Sequence, residues 1–454
     1  MQDIASFIAL NRFGLGPAPG EAEAVMSDPR GWIAAQIALR HREPAELAGF
    51  ESSEAILAAI HTARVKGDRD TRKTTNTMLR KRMVQELLAR ARAMIATPVP
   101  FAERMVLFWS NHFTVSATKG LIAPALPAYE REAIRPHIFG RFSEMLVAAI
   151  RHPVMLSYLD NAVSLGENSP AGQRRRQTRG STKTLNENLA REILELHTLG
   201  VNGGYTQADV IELAKVLTGW GHGGVRGRNA MRPVHGGFEF RPGFHEPGPK
   251  TLLGRTYPED GDREGLAVLS DLARHPSTAQ HIATKLVRHF VSDDPPADAV
   301  DRIAQVFLDS DGDLAEVSRG LIELDAVWAE PLPKVKTHYE LVISAHRVTG
   351  EDQARRRDVL QPLREFDHLP FTAPSPAGWG DRATDWIAPE ALMRRIEWLR
   401  RFSGSLPATL YPDQLLDQAI GPVVSDDTRL WVSRAPSGDA AIAMILASPE
   451  FQRR

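Results

Sequence analysis

At 454 residues the chain holds two or three domains' worth of material, or one large body with insertions. Its 43% hydrophobic and 24% charged residues are ordinary for a globular protein with a sizeable core. With 55 basic against 56 acidic residues the formal net charge is −1, so no global field draws nucleic acid or an anionic membrane to it, and the lack of cysteine excludes disulfides, thiolate zinc sites and cysteine nucleophiles.

The chain begins "MQDIASFIALNRFGLGPAPGE", without a basic n-region or an apolar run of signal length. No later stretch approaches the roughly 18 apolar residues of a membrane span. As written, the sequence reads as cytoplasmic, with the periplasm as the alternative for a chain whose leader has been removed. Helical periodicity then dominates. "GWIAAQIALR" (31–40), "MVQELLARARAMIA" (83–96) and "ERMVLFWSNHF" (103–113) place apolar residues three and four apart. Roughly fifteen such segments run to the C-terminus. The fold class is therefore mainly α: a large multi-helix globular body over 1–333, with a C-terminal helical part, 334–454, packed on it as the same domain. Two interruptions stand out. "ENSPAGQRRRQTRGSTK" (167–183) has no apolar anchor and reads as a mobile surface loop. The region 221–257 reads as loop followed by a small β-hairpin, because Phe238 and Phe240 alternate before Pro-Gly breaks.

"DSDGDLAEV" (309–317) offers Asp309, Asp311 and Asp313 like a calcium loop, but Leu314 stands where the turn needs Gly and Gly320 where the bidentate acid should be. Asp313 fits a helix N-cap better. No phosphate loop, dinucleotide fingerprint, HExxH or GxSxG appears. In "EILELH", Glu195 and His197 are two apart and do not share a helix face, so a helical di-metal site lacks the spacing.

The densest polar block is "NENLAREILELHTLGVNGGYTQADVIELAKVLTGW" (186–220). At helical spacing Asn188, Glu192 and Glu195 stack on one face beside a stripe of Leu189, Ile193 and Leu196. Glu187 and Arg191 are spaced to pair. Asn202, Gly203 and Gly204 are expected to end the helix, and Thr206 with Asp209 forms a capping box for the next. If the Glu192/Glu195 face turns inward, its carboxylates need a cation, a metal or a raised pKa. "FWSNHF" sets His112 among aromatics, where the structural reading is a hydrogen-bonded core histidine and the functional one a metal ligand or general base. "FHEPGPK" presents His245 and Lys250 on a loop, and Trp379 and Trp386 flank a Pro/Gly turn.

Taken together, "ALNRFGLGP", "ERMVLFWSNHFTVS", "HPVMLSYLDN", the 186–220 block, "FHEPGPKTLLG", "IATKLVRHFV" and "PSPAGWGDRATDW" resemble the bacterial family known as domain of unknown function 1800, DUF1800. The resemblance implies one mainly helical body. It brings no activity with it. It implies export of many members and, as a partner, a sulfatase-like protein of the cell envelope encoded nearby. The family's blocks fall on Asn111, His112, Asp160, Asn161, Asn186, Glu187, Asn188, Arg191, Glu192, Glu195, Tyr205, Thr206, Asp209, Trp220, His245 and Lys250. His197 stands where many relatives have an aromatic residue, which argues against it as a catalytic group.

Two function classes follow. The first is an acid/base or metal-assisted hydrolase with its cleft around the 186–220 helix pair. Glu192, Glu195 and His112 would then be acid/base groups or ligands, with a divalent metal ion as the implied cofactor. Arg191 and Lys250 would stabilise charge, and Asn111, Asn188, Tyr205, Trp220 and His245 would bind substrate. The second is a non-enzymatic helical binding or scaffold protein whose polar residues form a buried network. Nucleic acid is not expected as a partner.

Overall fold

The computed structural model describes residues 3–39, 43–120, 122–179, 185–223, 235–351 and 354–454. The chain is 64% helical, with 23 α-helices and two small antiparallel ribbons among the described residues. The helices outnumber the roughly fifteen periodic segments because several are only five residues long, among them Ile4–Ile8, Glu21–Val25, Asn188–Glu192 and Asp325–Ala329. A helix of little more than one turn cannot display a period. Among the described residues no helix is long and apolar enough to cross a membrane.

Local chemistry sets many helix starts. Asp313 accepts the N–H groups of Ala315 and Glu316 at 2.9 and 3.1 Å, the expected cap. Thr206 and Asp209 form the expected capping box. Pro100 and Pro276 occupy the first position of the helices Pro100–His112 and Pro276–Phe290, where a missing N–H costs nothing.

Two sequence expectations need correction, and the small β region is present in more detail than expected. The loop placed over 167–183 contains a helix, Pro170–Arg179. Ser169 nucleates it by accepting the Gly172 N–H at 3.0 Å, and Asn168 ties its start to Glu246. Arg174 and Arg176 remain exposed, and residues 180–183 lie outside the described residues. The β-hairpin is two ribbons: β1 (Trp220–His222) pairs with β2 (Phe238–Phe240), and β3 (Lys250–Leu252) pairs with β4 (Arg255–Tyr257). The turn Pro242–Phe244 prevents β2 from pairing forward, so it pairs back to β1 across residues 224–234, which lie outside the described residues. Finally, the helix from Asn188 changes to a π-helix at Ile193–His197 and stops at Thr198, before the Asn202-Gly-Gly run. The π turn widens the repeat and re-phases every residue beyond Glu192.

The apolar core is one contiguous cluster running from Ile8 to Phe451. Buried arginines stitch across position 334. Arg347 donates to the carbonyls of Met94, Ile95 and Thr97 at 3.3, 2.8 and 3.2 Å, answering the orphan acceptors at the end of the 28-residue helix Arg69–Ala96. Ser344 donates to the Leu15 carbonyl at 2.8 Å.

Candidate functional site

A cavity of ≈ 380 Å³ opens between the helix Pro100–His112, the helix Pro276–Phe290, the start of the helix His338–Thr349 and the segment 368–385. The first helix contributes Leu107, Phe108, Ser110 and Asn111. The second contributes Lys285, Arg288 and His289, which at i, i+3 and i+4 share one side of the helix. Thr337, Tyr339 and Glu340 come from the third start, and Pro370, Phe371, Trp379, Asp381 and Arg382 from the wrapping segment.

Asn111 fixes that segment. Its side-chain amide donates to the Trp379 carbonyl at 2.9 Å and accepts the Trp379 N–H at 2.7 Å. The approach requires glycine at 378: φ is +82°, and a Cβ there would lie 2.5 Å from the Asn111 carbonyl oxygen. Trp386 is buried and donates its indole N–H to the Gly380 carbonyl at 3.2 Å. His368 stacks edge-on to Trp379, with ring centroids 4.6 Å apart.

Beneath the cavity lies a buried ionic chain. Arg90 meets Glu130 at 2.7 Å, Glu130 meets Arg135 at 3.1 Å, and Arg135 grips Glu103 at 2.8 and 2.9 Å. Burial alone would raise the Glu130 carboxyl, but Arg90 and Arg135, with hydrogen bonds from Arg90 and Ser110, outweigh it and hold it at about 2. Glu340 caps its own helix through Thr337 and also pairs with Arg104 and Arg454. On the wall, His289 Nδ1 donates to Asp381 at 2.9 Å. Burial pushes the Asp381 carboxyl up, yet His289, Lys334 and Arg454 together bring it to about 2. Burial also lowers His289 despite Asp381, so its ring is neutral, with the proton on Nδ1.

Lys285 breaks this pattern of paired charge. It makes no hydrogen bond and no ion pair among the described residues. Protein encloses most of it, and burial lowers its ammonium to about 8, opposed by the more distant Asp381 and reinforced by Arg288. Its neighbours His197 and His281 are lowered to about 3 and about 4, first by burial and then by Lys285 itself, so both rings are neutral and add no repelling charge.

Of the residues singled out from sequence, Asn111 and Trp379 line this cavity and the proposed catalytic and other substrate-binding residues lie elsewhere. His112 is core. Its Nε2 donates to the His197 carbonyl at 3.1 Å, and its ring packs on Trp109 and Phe113. It thus touches the far end of the 186–197 helix rather than the Glu192 face. Glu192 and Glu195 are half-buried and unpaired among the described residues. Burial and then Glu195 raise the Glu192 carboxyl, against Arg191. Tyr205 stands close enough for both carboxylates to act on it. Arg191 is engaged with Glu187 at 3.1 Å and Gln207 at 2.9 Å, and Asn188 is exposed. His245 and Lys250 close on Glu264 at 3.1 and 3.0 Å, all three buried, and His245 also donates from Nδ1 to the Thr218 carbonyl at 2.9 Å. Trp220 is buried under Arg151 and against Phe238. Among the described residues no three His, Asp or Glu side chains are grouped to hold a metal ion.

Sequence reasoning missed Lys285, Arg288, His289 and Asp381. The i, i+3, i+4 run in "KLVRH", three polar groups beside the apolar face of one helix, was the available signal.

A model of the family described as "Protein of unknown function (DUF1800)" matches residues 8–453. The chain belongs to this family. No curated protein and no solved structure matches it. In this DUF1800 protein, three of the stretches that carry the resemblance meet at the cavity: "FWSNHF" through Phe108, Ser110 and Asn111, "IATKLVRHFV" through Lys285, Arg288 and His289, and "PSPAGWGDRATDW" through Trp379, Asp381 and Arg382.

Proposed function

We propose that the DUF1800 protein binds a small organic anion with an apolar or aromatic body in the cavity beside Lys285. The observation that carries this reading is the Lys285 ammonium on the cavity lining, which has no hydrogen bond and no ion pair among the described residues. Enclosing a cation without a partner is costly, and a ligand carboxylate drawn in by Arg288 beside Lys285 is the economical counter-charge. The volume lies within the roughly 300–1,000 Å³ of small-molecule sites. Phe108, Phe371 and Trp379 supply ring surface for the ligand body.

Whether chemistry follows binding is the enzyme half of this proposal. A hydrolase centred on the 186–220 pair draws no support from the geometry, since Glu192 and Glu195 lie together without a nucleophile or cation. At the cavity, the Ser110 hydroxyl donates to Glu130 at 2.9 Å, but that carboxylate, held at about 2 between Arg90 and Arg135, is too weak a base to activate it. The scaffold reading is favoured for one place, the closed His245–Glu264–Lys250 cluster, which reads as structural. A sulfatase-like partner and the exclusion of nucleic acid stay part of the proposal, the latter on the near-zero net charge.

The test is titration calorimetry of the full chain with benzoate. Saturable binding that Lys285→Met abolishes supports the site. Equal binding by both proteins, or none by either, overturns it.

A further inference from the structure

We infer that Lys285 is a carbonyl-capturing amine, condensing with the aldehyde or ketone group of a ligand whose carboxylate is held by Arg288. The inference rests on the anion-binding reading above and names the ligand class for it.

The geometry separates Lys285 from the other enclosed lysines. Lys250 is paired with Glu264, Lys334 with Asp293, and Lys336 contacts Asn11 at 3.3 Å and the Phe451 ring at 4.1 Å. Each of these amines is engaged, whereas Lys285 ends at an open cavity without a partner among the described residues. An amine so placed is free to rotate and attack. Burial favours its neutral, nucleophilic form.

Arg288 lies one turn along the same helix and lines the same cavity. Its Nε donates to the Asp293 carbonyl at 3.3 Å, which leaves both terminal nitrogens for a bidentate carboxylate. A ligand carrying both a carbonyl and a carboxylate therefore spans two groups that the helix already sets three residues apart. Phe108, Phe371 and Trp379 enclose the ligand between them.

In the condensation, the Lys285 nitrogen forms a bond to the carbonyl carbon and the carbon–oxygen bond breaks. Two protons of the ammonium leave with that oxygen as water, and the third stays on the resulting iminium. One positive charge is present before and after, so the charge balance of the cavity is unchanged. No oxidant or other co-reactant is needed.

The chain has ten lysines, so the test is readable by mass spectrometry. The full chain is incubated with 4-formylbenzoate and cyanoborohydride, which reduces an imine to a stable secondary amine, and the modified peptides are mapped. Lys285 is expected to label at least about tenfold faster than exposed lysines such as Lys73 and Lys81, as its lowered pKa and its bound ligand dictate. Excess 4-methylbenzoate, which lacks the carbonyl, should block Lys285 alone. Lys285→Arg should still bind 4-methylbenzoate and lose the fast label. The competition arm uses the unaltered protein, so it decides the matter even if that variant does not fold. If 4-methylbenzoate binds while Lys285 labels no faster than the surface, this inference is overturned and the anion site stands. If 4-methylbenzoate does not bind and Lys285 is not labelled, both fall.

Discussion

Lys250 is buried and Lys285 half-buried on a cavity lining, and their surroundings differ. Lys250 meets Glu264 at 3.0 Å, His245 at 3.2 Å and the Glu246 carbonyl at 2.6 Å. Lys285 meets no acid and no acceptor among the described residues, only a cavity. The region of Lys250 draws the eye in the sequence, with His, Glu and Lys within a few residues, and its opposite charges are paired with one another. The region of Lys285 is inconspicuous in the sequence and leaves a charge unanswered in the fold. The difference teaches that the density of polar residues marks chemistry poorly. What matters is whether their hydrogen-bonding and charge capacity is already spent.

The largest effect expected from this contrast is on stability. Lys250→Met strands Glu264 in the core and should cost roughly 3–5 kcal/mol in urea unfolding. Lys285→Met, which removes an enclosed charge without orphaning a partner, should stay within about 1 kcal/mol of the parent or stabilise it. Equal losses would break the comparison.

Acid provides another separation. Glu130 under the cavity is held at about 2 against an ordinary value of 4.5. A carboxyl depressed on folding contributes stability that is full above pH 4.5 and lost as pH falls toward 2, here on the order of 3 kcal/mol. Asp381 adds to the loss between pH 3.8 and about 2. Chemical unfolding at pH 6 and pH 3 should show the deficit. Glu130→Gln should flatten the dependence while lowering stability at pH 6.

Asn111→Ala removes both bonds to the Trp379 main chain. It should cost about 1–2 kcal/mol and lower amide-exchange protection of the segment 378–381. Unchanged protection would mean that the aromatic packing of Trp386 alone holds the wall.

The smallest effect belongs to Glu192→Gln, expected within about 0.5 kcal/mol because the carboxyl is half-exposed and unpaired. A loss of several kcal/mol would show a burial that the structure does not have.

Much of the local structure was legible in the sequence. The Thr206–Asp209 box, the Asp313 cap and the Glu187–Arg191 pair involve residues within four positions of one another, where spacing decides contact. The π turn at Ile193–His197 was not legible, because helical spacing presumes 3.6 residues per turn. The cavity was not legible because it joins Ser110, Lys285, Glu340 and Asp381, brought together only by packing. The division near 334 remains our proposal of one domain. With Arg347 and Ser344 bonded to the first hundred residues, a single unfolding transition by two probes is the expected result.

The clamp at Trp379 has an evolutionary consequence. Asn111 holds that residue by its main-chain N–H and C=O alone, and Gly378 gives way to make room. The clamp therefore places no demand on which side chain stands at 379, and the indole is met by ring contacts with His368 and Trp386. A lineage could exchange the indole for a smaller or more polar group and retune what the cavity admits without rebuilding its wall. Selectivity and foldability are thus separable at this position, and a library varied there alone would keep its architecture while sampling new ligands.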